Sequence, residues 1–166
     1  QAALDGELHF QGVMEILLKL ENVYPVDASD ILTAKNDSPH GVKVMRASES
    51  QESRRVFSRV NKDMQLAPYY EYRDTVMSSL SKFRPEWIEQ LRVVNDNEPN
   101  NPDVIYNNGH LMHQVTFFIG PVNFYYEVEG VKYCKEMRTG DSNYITPFVK
   151  HSFANRDASH EAIIIA

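Results

Sequence analysis

The sequence predicts a mainly β protein, an antiparallel barrel or sandwich of short strands behind a helical N-terminal segment. Short apolar runs recur at close spacing from Gly41 onward. Turn residues such as Gly120-Pro121 and Glu129-Gly130 punctuate them. Helical periodicity is concentrated in one stretch near the N-terminus.

Residues 7–23 carry that helix, because Leu8, Val13, Leu17 and Leu20 form an apolar stripe with Phe10, Met14 and Leu18 beside it. Pro25 ends it. Asp27 to Asp30 can start a second short helix. Val42, Val44 and Met45 read as a first short strand. Val56–Val60 and Pro68–Tyr72 flank the polar Asn61-Lys62-Asp63-Met64 and read as a hairpin. The run from Glu86 to Val94 fits helix or strand, and Asn95 to Asp103 is loop by composition. Further strands are expected at Val115–Ile119, Val122–Val128, Val131–Lys135, Tyr144–Val149 and Ala162–Ala166. The expected organisation is a helical segment over residues 1–40 and a β-barrel domain over residues 41–166.

The chain of 166 residues is 42% hydrophobic and 11% aromatic, enough for one domain with a sizeable core. The net charge of −6 and the lack of a long basic run argue against nucleic acid or an anionic membrane as partner. Cys134 is the single cysteine, so a disulfide framework and a cysteine-based zinc site are excluded. No segment resembles a signal peptide or a membrane span, which makes a reducing cytoplasm the expected compartment. The chain starts at Gln1 and stops inside Ala162-Ile-Ile-Ile-Ala166, and it reads as part of a longer polypeptide.

Two stretches carry chemistry. The first is Asn107-Asn-Gly-His110-Leu-Met-His113-Gln114-Val115. Strand alternation sends His110, Met112 and Gln114 one way and His113 the other, so parity pairs His110 with Gln114. The second runs from Gly140 through Pro147 and His151 to Asn155. Together they resemble the paired motifs of the cupin superfamily, a jelly-roll barrel or double-stranded β-helix. That resemblance implies a metal held by His110, Gln114 and His151, with Gly120 closing the first motif. In ferrous oxygenases the third place usually belongs to a carboxylate. Gln114 is neutral, so the ion would keep one more positive charge.

Longer stretches sharpen the resemblance: Gly41-Val-Lys-Val-Met-Arg-Ala47, Pro68-Tyr-Tyr-Glu-Tyr-Arg-Asp-Thr75, Phe83-Arg-Pro-Glu-Trp-Ile88 and Tyr144 to Phe153. With Asn107-Asn-Gly-His110 they resemble the phosphonate-processing non-haem iron oxygenases. The resemblance implies Fe(II), O2 and a 2-hydroxyalkylphosphonate. Members differ at two places. One branch sets a ligand Glu six residues before the last His, where this sequence has Ile145. Another carries a Gln four residues after the first His, as Gln114 stands here. The second pattern implies oxidative C–C cleavage of 2-hydroxyethylphosphonate to methylphosphonate and bicarbonate, with Ile145 acting on the outcome. The alternatives are hydroxymethylphosphonate plus formate, or a metal-free cupin that binds a small molecule. The resemblance offers Asn107, Tyr72 and Arg59 as phosphonate contacts, with Arg73 competing for the role of Arg59. A homo-oligomer is expected.

Overall fold

The computed structural model describes residues 5–31, 37–38, 40–79, 81 and 83–166. The chain divides into two compact units, one from Gln1–Val44 and Val76–Arg84, the other from Met45–Thr75 and Pro85–Ala166.

The first unit holds α1 (Phe10–Glu21) and α2 (Ala28–Ile31). Helix α1 buries Leu17 and places Lys19 in its last turn, where a cation favours the helix C-terminus. It is shorter than its apolar stripe suggests, since Leu8 lies before the first turn. Asp37 accepts hydrogen bonds from Lys43 Nζ at 2.7 Å and Ser78 Oγ at 2.6 Å, tying the two stretches of the unit together. No helix among the described residues is long and apolar enough to cross a membrane.

The second unit opens with α3 (Ala47–Glu52). Nine strands follow among the described residues: β1 (Arg55–Val60), β2 (Leu66–Asp74), β3 (Glu86–Gln90), β4 (Gln114–Ile119), β5 (Val122–Val128), β6 (Val131–Met137), β7 (Ser142–Ile145), β8 (Lys150–Asn155) and β9 (Ile163–Ile165). Six of them form one sheet in the order β1-β2-β3-β9-β4-β7, and β6-β5-β8 form a second. The core brings Ile88, Phe118, Ile145 and Ile164 of the first sheet together with Val122, Phe124 and Phe153 of the second. A satellite of Val94, Val104, Tyr125 and Ala154 covers the other face of β5 and β8.

Three expectations need correction. Val42, Val44 and Met45 form no strand. Val42 and Val44 are exposed, and β1 finds its partner in β2, so these residues have no ladder to join. The run Tyr144–Val149 is broken after Ile145. Pro147 has no N–H to give a ladder, and Phe148 turns the chain with φ 65°. A strand not expected from the sequence, β8, starts at Lys150. Its burial on both faces hides the alternation by which a half-buried strand is recognised.

Cys134 illustrates how the satellite cluster shapes reactivity. Burial pushes its thiol up to about 11, against a smaller opposing effect of the Tyr125 hydroxyl. Only about one thiol in a thousand is then thiolate at pH 8. Iodoacetamide is expected to label Cys134 far more slowly in the folded protein than in urea, read by mass spectrometry. Equal rates would remove the argument.

Candidate metal centre

His110 and Gln114 bracket the entry to β4, and His151 is the second residue of β8, in the opposite sheet. The parity argument for His110 does not hold as made, because residues 110–113 precede the strand. A bend brings the side chains together instead. His110 Nε2 lies 2.9 Å from Gln114 Oε1, and the rings of His110 and His151 are 5.1 Å apart at 83°. Met112, which parity would place inward, is exposed. His113 turns away and meets the Tyr144 hydroxyl.

Backbone carbonyls fix both imidazoles. His110 Nδ1 lies 2.8 Å from Met112 O, and His151 Nδ1 lies 2.8 Å from Val149 O. A carbonyl only accepts, so each Nδ1 carries a proton and donates it there, which leaves each Nε2 to face the site. This is the orientation that metal-bound histidines take from their outer contacts. Burial holds the His151 pKa below its ordinary value, opposed by the hydrogen bond to the Val149 carbonyl and helped by a smaller contribution from His110.

His110 Nε2 and Gln114 Oε1 face each other at 2.9 Å, close enough for both to meet one ion. Among the described residues no three His, Cys, Asp or Glu side chains cluster, and the side-chain oxygen beside His110 Nε2 is the Gln114 amide. The donor set of two imidazoles and one amide oxygen suits a first-row divalent ion.

Asn107 clamps the site. Its Oδ1 accepts the backbone N–H of Gly109 at 2.9 Å and of His151 at 3.0 Å. Those two donors fix which end of the amide is oxygen. Its Nδ2 therefore faces His151 Nε2, at 3.0 Å. Ile145 lies directly opposite Gln114 in the β4–β7 ladder and is buried in the main core. Tyr72 also packs on that core, with the Phe57 ring 4.9 Å away. Burial first and Glu86 second raise the Tyr72 phenol, while the charges of Arg59 and Arg55 oppose them.

The two arginine candidates separate. Arg73 donates to Glu71 at 2.7 Å and pairs with Glu89 at 3.3 Å, an ionic cluster around a carboxylate that is buried on the opposite face of β2 from Tyr72. Arg59 lies beyond a register shift at Phe57/Ser58 and pairs with Ala67, its charge opposes the rise of the Tyr72 phenol, and among the described residues its guanidinium makes no ion pair. Two surface cavities, of about 410 and 330 Å³, are lined by residues such as Arg138, Arg156, His160 and Glu161. The first holds Gly120 and Pro121, at the far end of β4 from Gln114, and neither includes a proposed ligand. Two polar residues beside Gln114 escaped the sequence reading. Thr116 accepts a hydrogen bond from Gln114 Nε2 at 2.8 Å, and Asn143 stands opposite Thr116. The spacing of two on a strand points to Thr116, whereas only the register reveals Asn143.

No family model matches the chain. Over 153 residues, 91% of its length, it is 47% identical to the methylphosphonate synthase of Nitrosopumilus maritimus. The chain is a methylphosphonate synthase homologue. It spans about a third of that relative's length, 32%. The homologue also superimposes on Streptomyces albus HEPD, solved with 2-hydroxyethylphosphonate and Fe(II) bound. The TM-score is 0.75 at 41% identity, over 99% of this chain and 36% of HEPD. Hydroxypropylphosphonic acid epoxidase from S. wedmorenis matches with a TM-score of 0.56 at 20% identity, over 96% of this chain and 74% of its own. That match bears on fold alone, and the fold of the methylphosphonate synthase homologue is the cupin fold.

Proposed function

We propose that the protein uses Fe(II) and O2 to cleave the C–C bond of 2-hydroxyethylphosphonate, giving methylphosphonate and bicarbonate. The observation that carries this is the facing pair of Gln114 and Ile145. The position that in one branch supplies a carboxylate ligand is here an aliphatic side chain sealed in the core, and the residue opposite supplies an amide. His110 Nε2, His151 Nε2 and Gln114 Oε1 would hold the ion. Bound there, ferrous iron supplies the O2 chemistry and an electrophilic face for the substrate's oxygens.

The side chains do the rest. Three neutral donors leave the ion's charge uncompensated, and this attracts an anionic phosphonate. Asn107 Nδ2 rests on the His151 lone pair that a metal would take. Metal binding frees that donor for a phosphonate oxygen. The Arg59 fork, unpaired among the described residues, and the Tyr72 hydroxyl supply further donors. Ile145 and the surrounding core exclude water from the reacting carbons.

Arg59→Lys is expected to raise the KM for 2-hydroxyethylphosphonate about tenfold through loss of the bidentate fork, while kcat changes little. Arg73→Lys should leave KM alone and lower stability. A KM effect at Arg73 and none at Arg59 would reverse the assignment. The reading also includes a reducing cytoplasm and a homo-oligomer. Exposed Val115, Phe117 and Tyr144 on the outer face of β4 and β7 support the oligomer, which size-exclusion with light scattering tests.

Methylphosphonate with bicarbonate has the same overall composition as hydroxymethylphosphonate with formate, so O2 uptake cannot separate the two reactions. The deciding experiment loads iron anaerobically, adds substrate and O2, and follows phosphorus NMR. Methylphosphonate is the expected signal. Mainly hydroxymethylphosphonate rejects the product assignment, and failure to take up iron favours a metal-free binding module.

A further inference from the structure

A glutamine ligand raises a question of polarity that a carboxylate does not. Either oxygen of Glu can ligate, but only one end of the amide can. Turned over, Gln114 would present an NH2 group, which has no lone pair to offer. Something must therefore fix which end faces the ion.

Gln114 Nε2 donates to Thr116 Oγ1 at 2.8 Å. That bond alone does not decide the matter, because a hydroxyl both donates and accepts. Thr116 could equally donate to a reversed Gln114 oxygen. It becomes an acceptor toward Gln114 only if its own proton has another destination. Thr116 is wholly buried, so bulk water is not that destination.

Asn143 stands directly across the β4–β7 ladder from Thr116. Alternation puts it on the face of β7 that carries Ile145, so it shares the interior with Gln114. Its Nδ2 and Oδ1 are both buried, and neither has a hydrogen-bond partner among the described residues. An amide left so in a protein interior loses its hydration with nothing in return. Facing side chains in such a ladder have Cβ atoms roughly 5 Å apart. A hydroxyl proton can cross that gap directly after a small rotation, or through one buried water.

We propose that Asn143 is a positioning residue for the third metal ligand. Its Oδ1 accepts a hydrogen bond from the Thr116 hydroxyl, directly or through one water, which makes Thr116 an acceptor toward Gln114 Nε2 and so turns the carbonyl oxygen of Gln114 toward the ion. The proposal rests on the reading of Gln114 as a ligand. It makes the relay Asn143–Thr116–Gln114 a requirement peculiar to an amide ligand.

The test is a double-mutant cycle on the purified protein, with Fe(II) affinity measured anaerobically by chelator competition. Asn143→Leu is expected to weaken Fe(II) binding about 10- to 100-fold, the range for loss of an outer-shell partner. In a Gln114→Glu background the same substitution should change affinity less than about twofold, since a carboxylate has no wrong end. Equal losses in both backgrounds would mean Asn143 only packs, and would overturn the proposal. No loss in the wild-type background would overturn it too. Melting of the metal-free variants checks that each is folded. Should Asn143→Leu not fold, Asn143→Val enters the same cycle with the same outcomes. His110→Ala tests the underlying reading: unchanged Fe(II) affinity there rejects the metal site itself.

Discussion

Ile145→Glu is expected to destabilise the metal-free protein by roughly 3 kcal/mol and to shift the product toward hydroxymethylphosphonate. The side chain is 3% exposed and belongs to the main core, so a carboxylate there is desolvated with no cation beside it. It faces Gln114 across the ladder, which puts the new group within reach of the same ion. Iron should therefore rescue this variant's stability more than it stabilises the wild type. Urea unfolding with and without Fe(II), and phosphorus NMR of the products, read the two effects separately. Ile145→Val is the control. It removes one methylene, about 1 kcal/mol, and should leave the product alone. If Glu and Val variants differ in stability alone, Ile145 is packing and nothing more.

Gly109→Ala should be the most damaging single-methyl change near the site. Gly109 has φ +73°, a conformation unfavourable for alanine. A Cβ there would sit 2.5 Å from the Phe148 carbonyl carbon and 2.7 Å from its Cα. These are backbone atoms and cannot swing aside. The Phe148 N–H also donates to His110 O at 2.8 Å, so the loop before His110 and the loop before His151 are locked together there. A loss of roughly 3 kcal/mol or more, together with loss of metal binding, is expected. Thermal melting and metal analysis of the purified variant decide it. Wild-type values for both would show that the two loops separate freely.

How much of this was legible in the sequence depends on which interactions are local. Strands with one buried face, β4 among them, announce themselves by alternation and by their turns. Strand β8 does not, because Lys150-His-Ser-Phe-Ala-Asn155 buries polar side chains whose partners are distant in sequence. Ser152, for example, is held by the hydroxyls of Tyr69 and Tyr70, at 2.9 and 3.0 Å. The pairing of His110 with Gln114 was readable from spacing, though the bend that makes it was not. That Ile145 faces Gln114 follows from the β4–β7 register, which depends on the turn at residues 138–141 and on the full ladder. The competition between Arg59 and Arg73 was undecidable in sequence. Glu71 and Glu89 occupy Arg73, which supports Arg59 for that role.

Strand β9 has a consequence for how the protein is made. Among the described residues it joins β1-β2-β3 to β4-β7 in the six-stranded sheet. Both histidines and Gln114 leave the ribosome before Ile163 does, yet the two halves of the sheet cannot join until Ile163–Ile165 has slotted between them. At about 5–20 residues per second, the stretch from Ile119 to Ile163 takes seconds to synthesise. Through that interval β3 and β4 expose unpaired edges rich in Trp, Ile and Phe. Nascent chains stalled before Ile163 should therefore be the aggregation-prone ones, and iron loading a late event in the protein's biogenesis.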